Sequence, residues 1–195
     1  RSGLAFSEIM YHPRDRTDGR NVEFIELYNS NPWPEDLGGW QLAGDVAFTF
    51  PQGTSIAGQS YLVVAPVPAD VQAVYGISNV LGGFTNNLQN AGGTLRLVKR
   101  SGGVVLDVTW SDQPPWPITA DGAGHSLVLA RPSYGEQNVK AWAASAYLGG
   151  SPGAAEPVAS APQDYVLINE ILAHTDPPLS DFIELFNYSP FTADL

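Results

Sequence analysis

Cysteine is absent from the chain. That excludes disulfide frameworks, cysteine-ligated zinc and thiol catalysis. An extracellular version of such a chain relies on core burial in place of cross-links. Positive charge is scarce as well: Lys+Arg number 9 against Asp+Glu 20, and only Lys99 and Lys140 are lysines. So few scattered bases build no face for neutralising nucleic-acid phosphates, and an acidic chain of net charge -11 is disfavoured at anionic membrane surfaces. Long apolar runs are also missing. The longest, such as Tyr61 to Val67, are far too short to cross a membrane as a helix. The chain opens at Arg1 without methionine or signal peptide, and reads as a processed or excised piece whose targeting information is missing.

What is plentiful points to a β-protein. Hydrophobic residues make up 44% of the 195 and aromatics 11%, enough for a packed core. Gly 20 and Pro 16 supply turns in numbers that suit short strands better than a helical bundle.

The most informative feature is an internal repeat. Phe6-Ser7-Glu8-Ile9-Met10-Tyr11-His12 returns as Ile168-Asn169-Glu170-Ile171-Leu172-Ala173-His174. Glu23-Phe24-Ile25-Glu26-Leu27-Tyr28-Asn29 returns as Asp181-Phe182-Ile183-Glu184-Leu185-Phe186-Asn187, and Pro32, Asp36 and Leu37 return as Pro190, Asp194 and Leu195. The loop between the two blocks is a few residues shorter in the second copy, where deletions cost little. The expected organisation is a whole domain over 1–155, a Pro/Ala linker over 156–164, and the first strands of a second, incomplete domain over 165–195. The Gly, Ser and Pro residues from Gly149 to Pro162 have a linker's composition, flexible at the glycines and stiffer at the prolines.

Within the first copy the periods are those of strands. Residues 4–11 and 22–29 are the repeated pair; in the second, Phe24, Glu26 and Tyr28 share one face and Ile25 and Leu27 the other. Further strands are expected around Trp40 and Leu42, from Val46 to Phe50, from Tyr61 to Ala65, and from Ser126 to Ala130. Leu95 and Leu97 lead into a hairpin at Ser101-Gly102-Gly103, returning with Val104, Leu106, Val108 and Trp110 on one face. Helical spacing of Val71, Val74 and Tyr75 before Gly76 predicts one helix near Pro68–Tyr75. About eight strands and one peripheral helix predict an all-β sandwich.

These blocks resemble the lamin tail domain family, in its bacterial extracellular branch. The resemblance is carried by Glu8-Ile9-Met10-Tyr11, Glu23 to Asn29, Asp36-Leu37-Gly38-Gly39-Trp40-Gln41-Leu42, Phe50-Pro51-Gln52-Gly53-Thr54 and Asp121 to Leu127. Trp142 and Gly149-Gly150-Ser151-Pro152-Gly153 close it. It implies an immunoglobulin-like β-sandwich and a module of multidomain secreted, surface or envelope proteins, with no shared catalytic residues. The expected role is structural: spacing domains or assembling with protein partners or neighbouring copies. An accessory module that recognises glycan or peptide for a secreted enzyme is the alternative.

Several constellations are candidates for chemistry. Glu8 and Glu26 come close if their strands are antiparallel neighbours; a carboxylate pair can exchange protons, bind a hard cation such as calcium, accept hydrogen bonds from loop backbone, or face water. Asp15 and Asp18 sit in an acidic loop with Gly19 and join them as candidate calcium ligands, although the loop lacks the third acidic position and terminal Glu of a calcium loop. Trp33, Trp110 and Trp116 lie in or near proline-rich loops and are candidate flat platforms for a glycan or peptide, or pins holding loop ends to the core. Trp40 and Trp142 read as packing residues. Asp107, Asp112 and Asp121 surround Trp110 and Trp116 in sequence, without a spacing rule behind them. Ser126 follows His125 in a glycine-rich turn, but Gly-x-Ser-x-Gly is not completed and neighbours in a strand point to opposite faces. No catalytic set is expected.

Overall fold

The computed structural model describes residues 3–156, 166–175, 177–178 and 180–187. The chain divides into two compact units, Arg1–Glu156 and Pro157–Leu195. The linker expected over 156–164 lies, apart from Glu156, outside the described residues.

The first unit is the immunoglobulin-like β-sandwich. Its strands are β1 (Leu4–Met10), β2 (Phe24–Asn29), β3 (Glu35–Asp36), β4 (Gln41–Gly44), β5 (Phe48–Thr49), β6 (Ser55–Ile56) and β7 (Ser60–Ala65). After helix α1 (Pro68–Tyr75) come β8 (Val80–Gly82), β9 (Gly92–Val98), β10 (Val104–Ser111), β11 (Leu127–Leu129) and β12 (Trp142–Ala144). One sheet has the order β12-β11-β1-β2-β7-β8, the facing one β10-β9-β4-β5, and β3 pairs with β6. Pairing is antiparallel except between β7 and β8.

Alternation builds the core. Ile25 and Leu27 from β2, with Leu62 and Val64 from β7, face Leu42, Leu95, Leu97, Leu106 and Val108 of the other sheet. In β1 the alternation changes phase. Phe6 and Ile9 both enter this core, three residues apart, which a regular strand forbids. The pairing with β2 shifts between Phe6 and Glu8, so Ser7 is the extra residue of a bulge. Beyond it Glu8 and Met10 turn outward, opposite Glu26 and Phe24.

The outer face of the larger sheet is therefore also buried. Met10, Phe24, Val63, Ala65 and Val80 form a second cluster with Val71 of α1. The helix lies where it was expected. Pro68 opens it and Gly76 closes it in the left-handed conformation at φ 68°.

The structure adds β3, β6, β8 and β12 to the expected strands and departs from the expected ones in two further places. From Val46 to Phe50 only Phe48–Thr49 is a strand, because the chain leaves β4 after two pairs. Val104 is 56% exposed, not in the core; a second register shift, between Val104 and Leu106, takes it out of phase.

In the second unit β13 (Val166–Leu172) and β14 (Phe182–Asn187) pair antiparallel, with a register shift between Ile168 and Glu170 and with Glu170 opposite Glu184. This is the β1–β2 arrangement repeated residue for residue, bulge included.

Leu97 sits fully buried between Leu42 and Leu106. Leu97→Ala is expected to lower the unfolding free energy of the first unit by roughly 2–5 kcal/mol, read from the urea midpoint.

Candidate functional site

The outer face of β1–β2 holds two glutamates that a water-soluble protein would ordinarily leave at its surface. Glu8 is 2% exposed and Glu26 1%. They are direct cross-strand partners, which places their backbones about 5 Å apart. What covers them is the chain's own segment Gly149–Glu156.

Every carboxyl oxygen of the pair is occupied. Glu8 Oε1 accepts from the Ser126 hydroxyl and, at 3.0 Å, from the Ser151 amide. Glu8 Oε2 contacts the Ser151 amide at 3.3 Å and the Ser151 hydroxyl at 3.4 Å. Glu26 Oε1 accepts from the hydroxyl of the bulge residue Ser7 at 2.7 Å, and Oε2 from the Gly153 amide at 2.6 Å. Between those two amides Pro152 is buried. Glu156 closes the segment, accepting from the Ser151 hydroxyl at 2.5 Å and from the Ala146 amide. The segment read as linker from Gly149 is thus, up to Glu156, bound chain. Its composition is a linker's, but its amides are claimed by buried carboxyls.

Burial sets the electrostatics. It pushes the Glu8 carboxyl from its ordinary 4.5 up to about 7, against hydrogen bonds from Ser126 and Ser151, with Glu156 adding to the rise. Burial likewise pushes Glu26 up to about 8, against Ser7 and Gly153, with Glu8 and Glu156 adding to it. Tyr75, which donates to the Gly149 carbonyl at 2.8 Å, is raised to about 12 by burial and then by Glu8.

A pair whose four oxygens are filled by the protein itself is closed to substrate. Ser126 is buried on Glu8, while His125 Nδ1 contacts the Ser145 carbonyl at 2.8 Å, so the two neighbours diverge. Of the alternatives open to Glu8 and Glu26, the geometry supports acceptance of backbone hydrogen bonds.

The other candidates do not converge on the pair. Asp15 and Asp18 are exposed, and Asp18 is taken by Arg16 at 2.5 Å and Arg20 at 3.7 Å. Among the described residues no group of three or more His, Cys, Asp or Glu is placed to hold a metal ion. Trp33 is 58% exposed, in a loop tied down by Asn29, whose amide donates to the Trp33, Ile56 and Ala57 carbonyls. Trp110 is no surface platform: its ring is 2% exposed and packs on Tyr11 in the core, because it sits at an inward position of β10. Trp116 is half-buried against Trp142, ring centroids 6.3 Å apart. Trp40 packs against the core under Lys99, and Trp142 is buried. Asp107 pairs with Arg96, Asp121 with His12, and Asp112 contacts Ser111, so these three ring no common site.

Sequence reasoning found both carboxyls and missed their partners. Ser7, Ser126, Ser151, Gly153 and Glu156 carry no spacing that links them to Glu8 and Glu26. The one available signal was the closing Gly-Gly-Ser-Pro-Gly stretch, whose small residues permit the approach.

Two outcomes follow. Folded values above that of an unfolded glutamate mean that the folded chain holds extra protons. The stability they contribute is complete below about pH 4.5 and is lost as pH rises through about 7 and 8. Chemical denaturation of the chain is expected to show a fall of a few kcal/mol from pH 5 to pH 9. Gly150 stands at φ 78°, and a Cβ there would collide with Glu8 Oε1. Gly150→Ala is expected to cost about 2 kcal/mol, read as a lowered urea midpoint.

Comparison with known proteins bears on the same strands. None of the curated proteins is significantly similar to the chain. The profile of the Lamin Tail Domain family matches residues 1–112, from β1 through β10 and with both buried glutamates inside it. Lamin tail domains are non-enzymatic, immunoglobulin-like modules of structure and protein interaction, and with more than half its length so matched this chain belongs to the lamin tail domain family.

Proposed function

We propose that the chain is a structural and interaction module of a multidomain extracellular or envelope protein, arranged as a tandem array of lamin tail units. The observation that carries this reading is the β13–β14 hairpin. It repeats β1–β2 in sequence, register and bulge, yet its Ile168, Ile171, Phe182, Ile183, Leu185 and Phe186 are 45% to 63% exposed. In the first unit the same two strands are flanked by β11 on one side and β7 on the other, both antiparallel. In the second, among the described residues, the sheet holds these two strands. A lone hairpin is marginal in water, and unpaired edges recruit strands. The occupant these edges fit is a pair of antiparallel strands of the β7 and β11 kind, completing a second sandwich.

A glycan- or peptide-binding role is the second reading, favoured by the exposed Trp33 on a loop fixed by Asn29. Affinity electrophoresis and a glycan array separate the two: retardation lost in Trp33→Ala would support the second.

The array reading is tested by hydrogen exchange and sedimentation on residues 1–195. The expected result is fast exchange at the outward amides of β13 and β14 in monomer, slowed in any higher species. Protection of both outer edges on a clean monomer would overturn the need for added strands.

A further inference from the structure

The bonding around Glu8 contains a mismatch of protons. The Ser151 hydroxyl has one hydrogen and faces two carboxyls, Glu156 Oε2 at 2.5 Å and Glu8 Oε2 at 3.4 Å. The short contact takes that hydrogen. The contact to Glu8 is then oxygen against oxygen unless Glu8 itself carries a proton, which it donates to the Ser151 oxygen. The chain Glu8–Ser151–Glu156 is thus complete with one added proton and repulsive without it. Glu26 lies directly across the strand pair from Glu8 and holds the same segment through the Gly153 amide. The charged groups that bear on the pair are Glu156 from the covering segment and the two carboxyls themselves. Tyr75 faces Glu8 from α1 and Tyr61 faces Glu26 from β7. The charged neighbour named first for Glu8 is Glu156 and for Glu26 is Glu8, so a second negative charge meets like charge, and only the hydroxyl and amide donors already described oppose it.

We propose that Glu8 and Glu26 form a proton-operated clamp on Gly149–Glu156: with a proton aboard they hold the segment down, and on full ionisation they release it. In this state the segment ends the first unit. Released, its eight residues become tether, adding up to about 25 Å of reach before whatever follows. The clamp stands on the first unit alone; its consequence for the spacing of an array rests on the reading proposed above. The values of about 7 and about 8 place the release in the mildly alkaline range.

The test is amide exchange and carboxyl NMR on the full chain between pH 5 and pH 9, with exchange corrected for its intrinsic pH dependence. The Ser151 and Gly153 amides are expected to lose at least about tenfold of their protection between pH 6 and pH 9, in step with the Glu8 and Glu26 carboxyl shifts. Leu97 in the core is expected to stay better protected than either amide throughout, losing only what the fall in global stability with pH dictates. In Glu8→Gln/Glu26→Gln, which cannot ionise, the loss is expected to vanish. Protection at Ser151 and Gly153 that does not change with pH in the wild type overturns the clamp, as does the same loss in the double variant. Should that variant fail to fold, the wild-type carboxyl signals decide: titration without movement of the Ser151 and Gly153 signals overturns it. Exchange at β13 and β14 is read separately in the same spectra, so failure of the clamp and failure of the array reading are distinct results.

Discussion

One extra residue in β1 determines which side chains meet which layer. Without the bulge at Ser7, a strand that sends Phe6 inward would send Glu8 inward too, into a core of Leu and Ile. With it, Phe6, Ile9 and Tyr11 all reach that core, while Glu8 and Met10 face out beside Glu26 and Phe24. Bulges commonly re-aim a side chain next to a site. Here the inserted residue also serves the site it creates, since the Ser7 hydroxyl holds Glu26. The layer beneath α1, the layer beneath Gly149–Glu156 and the core between the sheets all depend on this change of phase.

Much of this was legible in the sequence, and the reasons are local. Ile25 and Leu27 against Phe24, Glu26 and Tyr28 is a clean period of two, and both faces were read correctly. The helix has its proline, its glycine and its spacing within ten residues. The repeat exposed the β1–β2 pair twice over. What failed has equally local causes. Strands β3, β5 and β6 have two residues each and are too short to show a period. Nearby prolines make Trp110 look like a platform residue, although the alternation of β10 points it inward. The bulge was present in the sequence only as a change in parity, from Leu4 and Phe6 to Ile9 and Tyr11, and a strand reading that assumes constant alternation passes over it. The cover over the glutamates could not be read at all. It joins residues more than 140 positions apart, and its composition, small residues and proline, is shared with free linkers.

Placing two carboxyls where Leu would fit is not a route to maximum stability. Replacing a buried polar cluster by apolar groups of similar shape is often neutral or stabilising. What apolar side chains cannot do is select one path for a polypeptide segment. Gly149–Glu156 has almost no side chain to pack: apart from Ser151, Pro152 and Glu156 it is glycine and alanine. Its handles are its amides, and amides are fixed by acceptors at defined positions. Glu8 accepts from the Ser151 amide and Glu26 Oε2 from the Gly153 amide, and the glycines at 149, 150 and 153, all at positive φ, let the backbone turn its N–H groups toward them. Directionality is obtained at the expense of desolvation, which is why the pair sits so far above ordinary glutamates in proton affinity.

The second hairpin separates what the strands determine from what the cover determines. Glu170 and Glu184 face each other across β13–β14 just as Glu8 and Glu26 do, and Asn169, standing where Ser7 stands, bonds Glu184 as Ser7 bonds Glu26. The hairpin therefore builds the acceptor pair by itself, from its own bulge and its own sequence. Yet both of its carboxyls are exposed. Water can solvate them, so neither needs an inward-pointing donor beyond its strand neighbour. Burial, and with it the raised proton affinity of the first pair, comes from the donors that arrive later in the chain, Ser126 with β11 and Ser151 and Gly153 with the closing segment. The recurring Glu…Glu motif is thus a statement about geometry, and its chemistry is conferred only where the rest of a sandwich closes over it.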